Sequence, residues 1–177
     1  GAAAMPGAAG GATFKWSRDN GSLVFPIVAS RDRTVRVSGL GRDPTRSLAV
    51  GACVEVLGEG NVLHGVPGTL ATVKRANAAT GDVQLEPFGA GGFGEVAGHR
   101  PTLLRRWDHR PDPEAGGARR LVEAAADQDA WIDVEQGLQI RFPRLDGPLP
   151  RRYATGDYWI IPARAGTGTI EWPDAAT

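Results

Sequence analysis

Glycine and proline interrupt this chain so often that long regular elements have almost nowhere to form. There are 25 Gly and 13 Pro in 177 residues. The apolar runs left between them are short, as in "LVFPIVA", "GACVEV" and "DYWIIPA". Runs of about four to eight apolar residues bounded by turn formers read as strands, not helices. The fold class this implies is mainly β: a small SH3-like barrel plus an additional antiparallel sheet or barrel, with at most one short helix.

Strand signals recur along the chain. "TFKW" alternates and is followed by "SRDNGS", whose Asn20-Gly21 pair suits a type I′ hairpin turn because both residues accept positive φ. "RTVRV" has period two, with Val35 and Val37 on one face and Arg36 on the other. Pro26 places the preceding strand at an edge or a bulge. Residues 47–87 form the most regular unit, with strands expected at Cys53 to Leu57, Thr69 to Arg75 and Val83 to Glu86 and a hairpin through "NAATGD". These read as the SH3-like barrel. Residues 11–46 supply a hairpin region of the main sheet and 88–173 its remainder. Residues 1–10 read as a tag or linker, with a scar-like Gly1 to Ala4 before Met5, and 174–177 as a tail. "RPTLLRRWD" is a further strand, and "WIDVEQGLQIRF" a hairpin turning at Glu135-Gln136-Gly137. "TGDYWIIPA" is the last long strand, pairing with "GTIEWP" through "RAGTG". "ARRLVEAAADQDA" is the one plausible helix, with Leu121, Val122, Ala125 and Ala126 at helical spacing.

Bulk chemistry narrows the function. Twenty basic residues balance twenty acidic ones. The basic excess of a nucleic-acid binder is missing. No apolar stretch approaches the ~18 residues of a membrane span, and the N-terminus lacks a signal-peptide pattern. Cys53 is the single cysteine, so no intrachain disulfide forms, and its place in an apolar strand reads as a buried thiol.

Candidate chemistry is sparse. "FGAGGFGEVAG" is rich in glycine but lacks the Gly-Lys-Ser/Thr of a phosphate loop. His64, His99 and His109 have no partner at a zinc-like spacing. Asp127 with Asp129, and Asp133 with Glu135, lack the spacing of a calcium loop. Alternation puts Asp133 and Glu135 on one wet face instead of across a cleft. No G-x-S-x-G elbow occurs. No catalytic residue, metal ligand or cofactor is assigned, which points away from an enzyme. What remains are clusters of Arg, acid and Trp, the mixture found at protein-contact hot spots. The residues assigned to binding are Lys15, Trp16, Arg18 and Asp19 in "KWSRD", and Arg106, Trp107 and Asp108 in "RRWD". For the first cluster the plainer reading is a turn, capped by Asp19. Five tryptophans, at 16, 107, 131, 159 and 172, either fill the core or, where exposed, offer a sugar-stacking platform.

Several stretches in order, "ATFKWSRDNGS", "LGRDP", "VGACVEV", "LHGVPGTLATV", "LRRWD", "WIDVEQGLQIRF" and "TGDYWIIPARAGTGTIEWP", resemble an uncharacterised bacterial family encoded beside phage-tail-like contractile injection systems. The chain resembles the C-terminal part of that family, and "PEAGGARRLVEAAADQD" departs most from its pattern. The resemblance implies a structural or adaptor domain of such a particle, made in the bacterial cytoplasm and particle-associated or released with it, whose partners are the particle's proteins. It carries no catalytic residues. Two alternatives stand beside it: a carbohydrate-binding or adhesion module using exposed Trp, and a delivered effector with hydrolytic activity.

Overall fold

The computed structural model describes residues 2–6, 11–41, 43, 47–90, 92–93, 100–124, 130–144, 153–161, 163–164 and 169–170. It is mainly β, built on a closed barrel with smaller sheets around it. The chain begins with β1 (Ala2–Pro6) and β2 (Ala12–Trp16), an antiparallel pair. Ordered structure thus starts earlier than Gly11, within the segment expected to be a linker.

The barrel is formed by β3 (Val24–Arg31), β4 (Thr34–Val37), β5 (Cys53–Gly58), β6 (Thr69–Asn77), β7 (Asp82–Pro87) and β8 (Pro101–Trp107), in the order β3-β4-β7-β6-β5-β8. It therefore draws on more than residues 47–87. The extra staves are β3 and β4 on one side and β8, which pairs with both β3 and β5 and closes the ring. Its interior holds Phe25, Val35, Val37, Val54, Val56, Val73, Val83, Leu85 and Leu104 from alternate positions of the strands, with Phe93 added from the connection between β7 and β8. Pro26 is followed by a register shift between Ile27 and Ala29, the bulge expected beside a residue without an N–H.

β5 is buried along its whole length. Val54 and Val56 face the barrel core, while Cys53 joins Leu70, Trp107 and Ala118 in a separate cluster. A strand covered on both faces needs a second layer. That layer is the sheet β14-β1-β2-β9, where β9 is Arg119–Arg120 and β14 is Tyr158–Trp159. On β2, Phe14 and Trp16 turn to an outer core with Val134 and Phe142. Lys15, on the opposite face as the alternation requires, meets β5.

The Asn20-Gly21 turn forms as its sequence dictates: both φ values are positive (52° and 67°), and Ser22 N–H donates to the Asp19 carbonyl at 2.9 Å. Its flanking strands do not pair as a hairpin, however. β2 belongs to the outer sheet and β3 to the barrel, so the turn is a corner between layers. Asp108 holds that corner, its N–H donating to the Trp16 carbonyl and its carboxylate accepting from Arg18 N–H.

The expected position of the helix is corrected. The stretch 119–124 is not helical: β9 pairs with β2, and β10 (Glu123–Ala124) runs parallel to β13 (Phe142–Pro143). Ala125, Ala126, Asp127 and Asp129 lie outside the described residues. The helix is instead α1 (Glu59–His64), placed between β5 and β6. Asn61 starts it by accepting from Gly58 N–H at 2.8 Å, and Gly65 ends it in the left-handed conformation at φ 64°. The hairpin β11 (Ile132–Glu135) and β12 (Leu138–Ile140) forms with positive φ at Gln136 and Gly137. The expected last strand contributes β14, and β15 (Ala163–Arg164) pairs with β16 (Thr169–Ile170).

Candidate functional site

All seven residues assigned to binding fall within one connected group, at the junction of barrel and outer sheet. They divide into a buried part and an open part, with Trp107 between them.

The buried part is a fastening. Lys15 Nζ lies 2.8 Å from Glu55 Oε1, with side-chain exposures of 7% and 1%. The same oxygen accepts from Gly68 N–H at 2.8 Å, and Oε2 accepts from the Trp107 indole N–H at 2.9 Å. The ammonium also lies 4.6 Å from the Trp107 ring centroid, a favourable approach of a cation to a π face. Burial pushes the Glu55 carboxyl up, but the charge and hydrogen bond of Lys15 and the two other donors outweigh it and hold the group below its ordinary value. The approach of Gly68 requires glycine, since a Cβ there would lie 2.3 Å from the Val56 carbonyl oxygen. Trp16 and Trp107, 6% exposed each, and Lys15 thus serve the interior and present little surface.

The open part is a cleft of about 520 Å³ lined by Arg18, Ser47, Arg106, Asp108, Arg110 and Glu135 among others. Arg106 Nε donates to Asp108 Oδ1 at 3.1 Å, and its guanidinium reaches Asp19 at 3.9 Å. Arg18 makes a two-pronged contact with Glu135, at 3.0 and 2.6 Å. Glu135 also accepts from the Trp16 indole N–H at 3.1 Å. Desolvation raises the Glu135 carboxyl, while Arg18 and Trp16 lower it further than that, so it stays ionised. Glu135 is therefore more than the solvated strand residue its alternation suggests. A register shift between Asp133 and Glu135 goes with its inward contact, and Asp133 remains exposed beside Gln139.

His109 was legible only as a loop histidine. Its ring is buried and spans two segments: Nδ1 accepts from Trp16 N–H at 3.1 Å, and Nε2 lies 3.0 Å from the Gly117 carbonyl. Burial lowers its pKa, and the two hydrogen bonds only partly oppose this, so the neutral form carrying hydrogen on Nε2 fits both partners. Cys53 is buried as expected, its thiol pushed up to about 12 by desolvation and the Glu55 charge. His64 is exposed on α1, while His99 and Trp172 lie outside the described residues, as does most of the glycine-rich loop. Trp131 is exposed, with the Arg141 guanidinium 5.2 Å from its ring centroid, and Trp159 is exposed at the edge of the outer core. Among the described residues no group of three or more His, Cys, Asp or Glu could hold a metal ion, and no helix is long and apolar enough to cross a membrane.

A family model described as a family of unknown function, DUF6519, matches residues 1–177. No curated protein and no solved structure matches the chain. The chain belongs to the DUF6519 family.

Proposed function

We propose that this chain is a non-enzymatic structural or adaptor domain of a contractile, phage-tail-like injection particle, working through protein contacts. The particle context rests on the ordered resemblance of the stretches from "ATFKWSRDNGS" to "TGDYWIIPARAGTGTIEWP", which also likens the chain to the C-terminal part of longer proteins. The contact role rests on one observation: Glu55, Glu135 and His109 at the layer junction are spent on joining the layers. Glu55 serves three donors, His109 bridges two backbone segments, and Glu135 clamps Arg18 and Trp16. A catalytic acid, base or nucleophile works through an unspent lone pair or proton facing a substrate. The Cys53 thiol, at about 12, is likewise far from nucleophilic. What such a junction offers a partner is a rigid unit with an Arg- and acid-lined cleft on its surface.

The test is co-purification of the tagged full-length protein with assembled particles. Sheath, tube or baseplate proteins should be retained through washing at physiological salt. Absence of all three from the eluate overturns the assignment. Exposed Trp131 under Arg141 favours a second reading, a glycan contact. Glycan-array binding lost in Trp131→Ala, with the melting curve unchanged, would support it.

A further inference from the structure

We propose that the pocket between α1 and the Thr155–Gly156 turn binds the carboxylate of an acidic side chain on a protein partner, with Lys15 and Arg105 as its cationic floor. The inference rests on the reading of the domain as a contact module and names the chemistry of one contact. The pocket has a volume of about 220 Å³ and shares Trp107 with the Arg18 cleft; buried Lys15, Glu55 and Trp107 line it together with Arg105 and the exposed Val62 and Val66.

Its floor is short of one acceptor. Glu55 gives one oxygen to Lys15 and Gly68 and the other to Trp107. The Lys15 ammonium has three hydrogens, of which the Glu55 bond uses one. Arg105 Nε is shut off from solvent, with no hydrogen-bond partner among the described residues. Buried donors are nearly always satisfied, and Arg105 is among the residues that line the pocket, so its orphan points to an outside acceptor that a small turn of the side chain admits. Lys15 and Arg105 both line the pocket, and both lie against the Trp107 ring, at 4.6 and 5.9 Å from its centroid. Two cations against one carboxylate leave the floor with one uncompensated positive charge, and one further carboxylate neutralises it. Partly desolvated charge-assisted bonds of this kind are stronger than neutral ones.

The rim identifies the source of the carboxylate. Val62, Leu63 and Val66 stand exposed around α1. Gly156 lines both this pocket and an adjoining depression formed by Asp157, Tyr158 and Trp159, where Tyr158 is also exposed. A free small acid would leave this apolar border in water. A polypeptide carrying Asp or Glu beside apolar side chains covers it.

The experiment uses the full chain, ¹⁵N-labelled, titrated with the blocked pentapeptide Ala-Leu-Glu-Leu-Ala while the Arg105 Nε–H and Trp107 indole N–H signals are followed. Both should shift and saturate. The Gln counterpart should bind about tenfold more weakly or worse, the loss expected when a charged acceptor is removed from buried donors. Acetate alone should also be weaker. Arg105→Gln should abolish the response, with the Trp16 indole signal reporting an intact fold. Val62→Ser should weaken the peptide and leave acetate unchanged. Unmoved signals, equal binding of the Glu and Gln peptides, or full binding by Arg105→Gln overturns the site; acetate binding as tightly as the peptide overturns the polypeptide source. Particle co-purification with a flat titration removes this pocket alone, whereas saturable shifts without co-purification remove the particle context alone.

Discussion

Replacing Lys15 by Met should destabilise this protein as much as emptying part of its core. The Lys15–Glu55 contact is 2.8 Å long and nearly closed to water on both sides. Without the ammonium, a carboxylate that is 1% exposed keeps only Gly68 N–H and the Trp107 indole as partners. Breaking one side of a buried pair costs about 3–5 kcal/mol, and the two surviving donors put Lys15→Met near the lower figure. Glu55→Gln should sit near the upper one. It leaves the ammonium without a counter-charge and turns one acceptor into a donor facing other donors. The double variant removes both charges, so its cost should fall below the sum of the singles by about 1–3 kcal/mol. Urea unfolding at pH 7, followed by tryptophan fluorescence, measures all three. With a slope of about 2 kcal/mol per molar, a loss of 3 kcal/mol moves the midpoint by roughly 1.5 M. Acid adds a signature. Glu55 is held below its ordinary 4.5. Its contribution is therefore present above the unfolded value and lost as pH falls through the folded one. In Lys15→Met burial pushes the group up instead, so this acid-linked loss should disappear and the variant's deficit relative to the parent protein should shrink as pH falls. Single variants that shift the midpoint by less than about 0.5 M with unchanged slope, or strictly additive costs, would refute the argument.

Native Cys53 should resist iodoacetamide at pH 8 and react once the chain is unfolded in urea; stoichiometric labelling of the native protein contradicts its burial. His109 has a lowered folded pKa, so its contribution is complete above the unfolded value near 6.5 and declines below it. The slope should approach at most about 1.4 kcal/mol per pH unit and flatten in His109→Gln, and an unchanged profile in that variant would argue against a buried neutral ring. Gly68→Ala should lower stability by roughly 2–4 kcal/mol through the clash with Val56, whereas Gly39→Ala, at φ 76° with open space around it, should cost only about 1 kcal/mol. Thermal melts that rank the two equally would show that the strands can spread at Gly68.

What the sequence discloses here is what neighbouring residues decide among themselves. The Val35/Val37 alternation, the Asn77–Asp82 turn and the Gln136-Gly137 turn all depend on a few adjacent positions, and each forms as expected. So does the opposition of Lys15 to Phe14 and Trp16 on β2. The identity of Lys15's partner, 40 residues away, has no local signal beyond a glutamate set among apolar residues in "CVEV". The same holds for His109 and Glu135, whose roles come from pairings between layers. Helical spacing at Leu121 and Val122 misleads because Arg119 and Arg120 are drawn to the edge of β2, where strand pairing overrides propensity. The true helix has six residues within a glycine-rich run, too short for periodicity to register.

The double duty of β8 bears on how the molecule is made. Until residues 101–107 leave the ribosome, five staves form an incomplete wall whose two outer members, β3 and β5, each show a row of bare amides and carbonyls. One seven-residue keystone then seals both at once. A chain stopped before it would be inclined to stick to its neighbours, and translation speed across that stretch governs how long the vulnerable interval lasts.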